Sequence, residues 1–294
     1  MANPVCLSPL KFYDDVAKQS HRKSYAYGHI SPLLIKLHTL PPFQFVIPTN
    51  LYTAGGGLSR ATLYDAKTGQ IVINNMASTL LETGFRIEDF SGNKVAVYPG
   101  LLPSFIIERE GLYYLELVSG NGGVWHYYSE VFSFASEIHD CLELEYWNKT
   151  GNFAIKNGIV AFPDDFHFKL LLKSELGKPE YGFEEESTKR LGYTFVESQV
   201  SKKTYKFNAV IPEFICDAMR IIRLCDNKII RCGGDEYEAI TFEMEAEWQT
   251  QGDLASVNCE FDTDNVIANL GGFIPDKPIS GSFNDDYNND FEKD

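Results

Sequence analysis

The chain has 294 residues and a formal net charge of −15, with 26 Lys and Arg against 41 Asp and Glu. Nucleic-acid binding needs a basic face that displaces counterions from phosphates, so this charge argues against specific contact with DNA or RNA. Hydrophobic residues make up 44% and aromatic residues 14%, a composition of folded chains rather than disordered ones. No run approaches 18 apolar residues and the N-terminus lacks a secretory pattern, so we expect no membrane contact.

Residues 1–40 form a basic leader with a net charge of +3, which leaves −18 on the rest of the chain. Two interpretations are open: an N-terminal strand packed on its own domain, or an extended arm that docks on an acidic neighbouring subunit. In the second case the candidate assembly contacts are Lys11, Lys18, Arg22, Lys23, Tyr25 and Tyr27.

Residues 41–135 show apolar side chains with a period of two, interrupted by turns such as residues 65–69. The clearest hairpin joins residues 111–118 to residues 124–134 through a glycine-rich turn. Short strands with recurring turns are typical of a sandwich, so we predict an immunoglobulin- or fibronectin type III-like β-sandwich domain here.

Residues 136–270 continue as a second β-rich domain. Leu142, Leu144 and Tyr146 alternate with Glu143 and Glu145, which predicts a strand with one solvated face. The acidic stretch 173–187 reads as a loop. An apolar stripe predicts one packed helix over residues 212–225, with Pro212 at its first position. Residues 242–248 and 255–261 predict a closing hairpin.

Residues 271–294 lose the period and are acidic, which is typical of a solvated, flexible tail. Phe283, Tyr287 and Phe291 nevertheless recur every four residues. The alternative is therefore a peptide that becomes ordered on a basic neighbour, with these aromatic residues as its contacts.

Motifs for chemistry are weak, and we predict no catalytic, cofactor or metal site. The six cysteines are scattered and read as free thiols in a reducing cytoplasm, with a zinc site from Cys216, Cys225 and Cys232 as the alternative. The glycines at 55–57 lack the Lys-Ser/Thr ending of a phosphate loop. Acidic residues alternating with apolar ones read as solvated strand faces, although calcium or glycosidase carboxylates would share this pattern.

Several segments, taken in order, resemble a family of virion structural proteins of tailed bacteriophages and prophages of gut Bacteroidales, including the crAss-like group. The resemblance spans most of residues 11–270. The segments are KFY at 11–13, RKSYAYG at 22–28, PFQ at 42–44, GLYYLE at 111–116, YSEVF at 128–132, LEYWN at 144–148, PEYGFEEE at 179–186, KTYKF at 203–207, WQ at 248–249 and GDLASV at 252–257.

This resemblance implies a non-enzymatic connector, tail or baseplate protein, located in the virion after assembly in the host cytoplasm. Its partners would be copies of itself in a ring and other virion proteins. The rival hypothesis is a carbohydrate-binding module on a tail tip or cell surface, with Trp125, Tyr127, Tyr128 and Trp147 as a sugar platform. The alternative for these aromatic residues is hairpin core.

Overall fold

Strands dominate the described residues, which confirms the mainly β prediction, and these residues contain one short α-helix. The computed structural model describes residues 8–14, 32–36, 43–48, 58–74, 85–90, 93–98, 110–119, 125–136, 140–149, 152–155, 158–161, 167–190, 193–248 and 254–269, and the fold is given for these. In chain order the elements are β1 (Phe12–Tyr13), β2 (Leu33–Lys36), β3 (Phe43–Pro48), β4 (Leu58–Asp65), β5 (Ile71–Ile73), β6 (Phe85–Phe90), β7 (Asn93–Tyr98), β8 (Gly111–Ser119), β9 (Trp125–Ser129), β10 (Phe132–Ala135), β11 (Cys141–Trp147), β12 (Asn152–Ile155), β13 (Gly158–Ala161), β14 (Phe168–Lys173), β15 (Glu180–Arg190), β16 (Tyr193–Pro212), α1 (Glu213–Met219), β17 (Asn227–Cys232), β18 (Asp235–Glu238), β19 (Glu243–Trp248) and β20 (Leu254–Asn269).

The largest sheet has eleven strands in the order β1-β9-β8-β10-β2-β14-β11-β17-β18, with β4 also paired to β8 and β5 paired to β4. The parallel pairing of β10 with β2 and the antiparallel pairing of β2 with β14 join its two halves. The sequence-predicted boundary at residues 135–136 therefore falls between two strands of this sheet. The immunoglobulin-like arrangement stays a prediction, as does the division at that boundary.

Three smaller sheets complete the described strands. β15-β16-β20-β19 form four strands, β3-β7-β6 three, and β12-β13 two. The predicted closing hairpin is confirmed, because β19 and β20 pair from Glu243–Glu260 to Trp248–Ala255. The turn at residues 65–69 is also confirmed: Gly69 has φ of 69°, in the left-handed region, and its N–H donates to the Asp65 carbonyl.

One hydrophobic core receives side chains from the eleven-stranded sheet, from β16 and β20 of the four-stranded sheet, and from α1. Alternation explains which residues enter it, because every second side chain of a strand points to the same face. On β8 these are Tyr113, Leu115 and Leu117, and on β11 they are Leu142, Leu144 and Tyr146.

The strand predicted over residues 124–134 is two strands, β9 and β10, that follow each other along the same edge of β8, opposite β4. β9 pairs with β8 through Glu116–Tyr128, whereas β10 pairs with β8 through Phe132–Tyr113. Glu130 and Val131 separate the two strands, and both are buried. The break shifts the pairing with β8 by one residue, from the register of Glu116–Tyr128 to that of Tyr113–Phe132, which alternation alone does not reveal.

The helix predicted over residues 212–225 is shorter. α1 begins after Pro212, whose ψ of 160° is extended, so this proline is the N-cap and not the first helical residue. α1 ends at Met219, and a 3-10 turn follows at Ile222–Leu224. The predicted apolar stripe is nevertheless correct, since Phe214, Ala218, Ile221, Ile222 and Cys225 are all buried.

The acidic stretch predicted as a loop contains the long strand β15, so that prediction is wrong from residue 180 onward. β15 pairs antiparallel with β16 along its whole length, from Glu180–Thr204 to Arg190–Tyr193, with a register shift between Glu186 and Ser187. Cross-strand hydrogen bonds stabilise this segment, and a local count of acidic residues does not detect them.

The chain divides into two compact units. Among the described residues the second unit contains Glu180–Thr204 and residues 264–269, and the first contains the rest. β16 and β20 each contribute residues to both units. None of the helices in the described part of the chain is long and apolar enough to span a membrane.

Candidate functional sites

The outer face of the eleven-stranded sheet carries two buried carboxylates, Glu116 and Glu145. Strand pairing places them on the same face. Glu116 shares a face of β8 with Leu112, and Glu145 shares a face of β11 with Glu143. The cross-strand pairs Leu112–Ser133, Ser133–Leu34, Leu34–Leu171 and Leu171–Glu143 connect these two faces. Only 5% of Glu116 and 6% of Glu145 is exposed. The prediction of a solvated face on β11 is therefore wrong at Glu145, because its neighbours' long side chains cover it.

Glu116 is held mostly by hydroxyl and imidazole donors. The Tyr64 hydroxyl donates to Oε2 at 2.8 Å, and the Tyr128 hydroxyl donates to Oε1 at 3.2 Å. His126 Nδ1 lies 2.7 Å from Oε1, and the Arg60 guanidinium lies 3.7 Å from Oε2. Tyr64 also stacks on Tyr114, with ring centroids 5.1 Å apart. Three aromatic side chains and one arginine therefore surround the Glu116 carboxylate.

Glu145 is held mostly by cations. Arg231 Nη1 donates to Glu145 Oε2 at 2.6 Å and to Glu143 Oε1 at 2.8 Å, while its Nε donates to Glu236 at 2.7 Å. His167 Nδ1 lies 2.6 Å from Glu145 Oε1, and Lys169 Nζ lies 3.4 Å from the same oxygen. One guanidinium thus joins carboxylates on β11 and β18.

Both carboxylates stay ionised at neutral pH. Burial by itself would raise the pKa of Glu116, but hydrogen bonds from His126 and Tyr64 outweigh it, and the pKa lies below its ordinary value. The same balance at Glu145, with His167 and Arg231 as donors, lowers its pKa as well. Burial and the bond to Glu116 raise the pKa of Tyr64 to about 12. These values suit ion pairing rather than proton donation to a substrate.

The thiols show the opposite electrostatics. Cys216, Cys225 and Cys259 are buried and free, and burial raises their pKa values to about 11, 12 and 12. A metal ligand or nucleophile has to be a thiolate, and these side chains are protonated. Among the described residues, no three His, Cys, Asp or Glu side chains are grouped to hold a metal ion, including the zinc alternative at Cys216, Cys225 and Cys232.

A shallow groove of about 300 Å³ lies over the neighbouring strands β16, β20 and β19. Glu243 and Glu260 face each other across the two strands, and Lys206 lies 3.9 Å from Glu260. Like charges directly opposite repel. The groove is lined by Lys206, Asn208, Glu243, Glu245, Asn258, Cys259 and Glu260.

The proposed sugar platform does not form as one surface. Tyr127 is buried and belongs to the core, and Tyr128 donates its hydroxyl to Glu116. Trp147 is partly exposed and stacks on His167, with ring centroids 3.9 Å apart. The Trp125 side chain lies outside the described part of the structure. Of these aromatic residues, Trp147 is therefore the best candidate for contact with a sugar ring.

The described parts of the leader, residues 8–14 and 32–36, pack on their own chain. Leu10 is fully buried, β1 pairs with β9, and the Tyr13 hydroxyl donates to buried Glu130 at 2.7 Å. Lys11, a candidate assembly contact, lies 3.7 Å from Asp217 and 5.6 Å from the ring centre of Tyr13. β2 is an interior strand of the large sheet. The packed-strand interpretation is confirmed for residues 8–14 and 32–36.

The other candidate assembly contacts lie outside the described residues. They are Lys18, Arg22, Lys23, Tyr25, Tyr27, Phe283, Tyr287 and Phe291. For these residues the docking arm and the ordering tail stay predictions.

The hairpin of β15 and β16 is an exposed surface that the sequence interpretation missed. Tyr181 is 69% exposed and Phe183 is 81% exposed. They alternate along β15, and this alternation was the signal for a strand. Glu184, Glu185 and Glu186 follow them directly, and their charge favoured the loop interpretation instead.

No protein-family model matches the chain, and no curated protein matches it.

Proposed function

We propose that the chain is a structural component of a tailed-phage virion, in a connector, tail or baseplate ring, and that it acts by protein–protein assembly without catalysis. The ordered set of segments across residues 11–270 supports this family. The buried carboxylates and thiols are compatible with it, because the first are tied into ion pairs and the second are protonated.

The exposed aromatic pair on β15 carries the proposal. Single exposed apolar residues are normal on a protein surface, whereas adjoining ones mark interaction sites. Tyr181 pairs with Lys203 and Phe183 with Ser201, so both aromatic side chains lie on the same face of the ribbon. Aromatic residues are enriched in the centres of protein interfaces, where their burial supplies much of the binding energy.

A ring requires heterologous contacts, in which one surface of a subunit meets a different surface of the next. A basic leader and an acidic body provide two unlike surfaces on the same chain. Opposite charges also favour one register and one orientation over others.

Two measurements test the proposed function. Quantitative mass spectrometry of purified virions is expected to find a constant copy number of this chain per particle. Negative-stain microscopy and sedimentation of the purified full chain are expected to show closed rings. Absence from virions, together with a monomer at tens of micromolar, would contradict the proposal.

Carbohydrate binding is the second candidate, favoured by the partly exposed Trp147 beside a polar cluster. A glycan array with the full chain tests it. Specific glycan binding that Trp147→Ala abolishes, while Trp248→Ala leaves it intact, would favour this candidate over assembly. Trp248 is a suitable control because it is 53% exposed and lies on β19, in a different sheet from Trp147.

A further inference from the structure

We propose that the hairpin of β15 and β16 is the docking site for the basic leader of a second copy, with residues 18–27 of one copy lying along the hairpin of the next. This inference rests on the proposed function, since it specifies the contact that would join copies in a ring. The hairpin and the leader would then be the two unlike surfaces of a heterologous interface.

The hairpin offers two chemically different faces. Residues directly opposite in an antiparallel pair share a face, so the register assigns each side chain. One face carries Tyr181, Phe183 and Glu185, and the other carries Glu180, Glu184 and Glu186. Every β15 residue from 181 to 187 is exposed. A partner can therefore contact aromatic rings and carboxylates along the same strand.

The carboxylates are concentrated and only partly engaged within the hairpin. Residues 180–186 contain four Glu and no basic residue. Lys202 binds Glu184 at 2.6 Å, and the Gln199 side chain donates to Glu185 at 3.0 Å. The Glu184 side chain remains 66% exposed, so its second oxygen can accept another donor.

The leader has the matching composition. Residues 15–31 contain Lys18, Arg22 and Lys23 against a single acidic residue, Asp15. In the leader, Tyr25 and Tyr27 come after the basic residues. In the hairpin, Tyr181 and Phe183 come before the three consecutive acids at 184–186. Arginine binds carboxylates through its planar fork and also stacks on aromatic rings, so both faces of the hairpin suit this segment.

Residues 15–31 of the leader lie between β1 and β2 in the sequence, and both strands pair within their own chain. Seventeen residues held at both ends can extend to about half their contour length, roughly 30 Å. In this proposal that reach brings the segment to an adjoining copy.

Two other acidic surfaces compete for this assignment. β19 carries exposed Glu243, Glu245 and Glu247 beside Trp248, and residues 271–294 form the acidic tail. The hairpin is favoured over β19 because its three central acids are consecutive and follow two exposed aromatic residues, Tyr181 and Phe183. It is favoured over the tail because residues 180–186 carry four Glu without a basic residue, whereas the tail also contains Lys277 and Lys293.

Charge reversal in the full chain tests the pairing. The hairpin variant is E184K/E185K/E186K, the leader variant is K18E/R22E/K23E, and a third variant combines both. Each single variant is expected to weaken self-association by about 100-fold or more, because like charges then meet at the interface. The combined variant is expected to form rings again, as is an equimolar mixture of the two single variants, in which the two proteins alternate.

Circular dichroism and thermal melts establish that each variant is folded. If the hairpin variant does not fold, Y181S/F183S replaces it, since both side chains are already exposed; it is expected to weaken association by about tenfold or more. The matched control E243K/E245K/E247K makes the same change in net charge on β19 and is expected to assemble normally. A chain truncated after Gly272 is also expected to assemble.

The outcomes separate the two proposals. Wild-type rings with no recovery in the mixture and in the combined variant overturn this inference but leave the proposed function standing. Loss of assembly in the β19 control or in the truncated chain, with an unaffected hairpin variant, also overturns it. A wild-type chain that stays monomeric contradicts the proposed function itself, and the inference with it.

Discussion

Glu116 and Glu145 occupy equivalent positions, each on an inner strand and on the outer face of the same sheet, yet their surroundings differ. Glu116 is bound by two tyrosine hydroxyls and one histidine, with Arg60 at 3.7 Å. Glu145 is bound by Arg231 at 2.6 Å within a group that includes two more carboxylates. A sheet can therefore bury a carboxylate by either neutral donors or cations.

The difference predicts how each region responds to substitution. Around Glu145 one guanidinium neutralises several acids, so its removal leaves unpaired negative charges close together. Around Glu116 each donor supplies one hydrogen bond, and losing a hydroxyl leaves the other donors in place. Stability around Glu145 should thus depend mainly on Arg231, whereas stability around Glu116 should depend on several donors together.

The largest effect is expected for Arg231→Met. The free energy of unfolding should fall by about 2–4 kcal/mol, because buried Glu145 loses its strongest partner and Glu143 loses a bond at 2.8 Å. Urea denaturation of the full chain measures it. Arg223→Met is the matched control, since its side chain is 70% exposed and its guanidinium lies 3.6 Å from Glu243. Equal effects of the two substitutions would contradict the dependence on Arg231.

How far the sequence anticipates these clusters depends on chain separation. Alternation correctly predicts that Leu144 and Tyr146 face the core, because that pattern is local. It cannot predict that Arg231 covers Glu145, since the two residues are 86 positions apart and meet only through the β11–β17 register. The stripe of α1 is likewise predicted, whereas the end of the helix depends on the tighter turn that follows Met219.

The hairpin illustrates the same limit in a functional surface. Three consecutive glutamates at 184–186 disfavour a strand locally. Pairing with β16, from Thr204 to Tyr193, overrides this preference by satisfying the backbone donors and acceptors of β15 that face β16. Charge and composition locate the basic leader and the acidic body, but only the fold identifies an exposed ribbon that carries aromatic and acidic residues together.

Tyr64→Phe is expected to have a smaller effect, about 1.5 kcal/mol, because it removes one hydrogen bond to a charged acceptor and preserves the ring stack on Tyr114. Denaturation with Tyr181→Phe as control measures the loss, since the Tyr181 side chain is 69% exposed. A cost equal to that of Arg231→Met would mean that the two clusters do not differ in the way proposed.

Acid should affect both clusters in the same direction. The folded-state pKa values of Glu116 and Glu145 lie below their ordinary values. Each carboxylate therefore contributes stability above its unfolded-state pKa of about 4.3, and the contribution is lost as the pH falls through the folded-state pKa. Each tenfold weakening of proton binding is worth about 1.4 kcal/mol.

Unfolding measured from pH 7 to pH 3 checks this prediction. Glu116→Gln and Glu145→Gln should each flatten the acid limb of the stability curve, because each removes a carboxylate whose folded-state pKa is lowered. Glu247→Gln, on the exposed strand β19, should leave the curve unchanged. Parallel curves for all three variants would contradict the lowered pKa values.

The smallest effect is expected for Lys169→Ala. Its ammonium lies 3.4 Å from Glu145 Oε1, but 54% of the side chain is exposed, and exposed ion pairs contribute about 0.5 kcal/mol or less. Combining it with Arg231→Met sharpens the comparison. Without Arg231 the ammonium is the nearest remaining permanent cation to Glu145, so the cost of removing it should rise to about 1 kcal/mol. Strict additivity in this double-mutant cycle would mean that Glu145 does not couple the two cations.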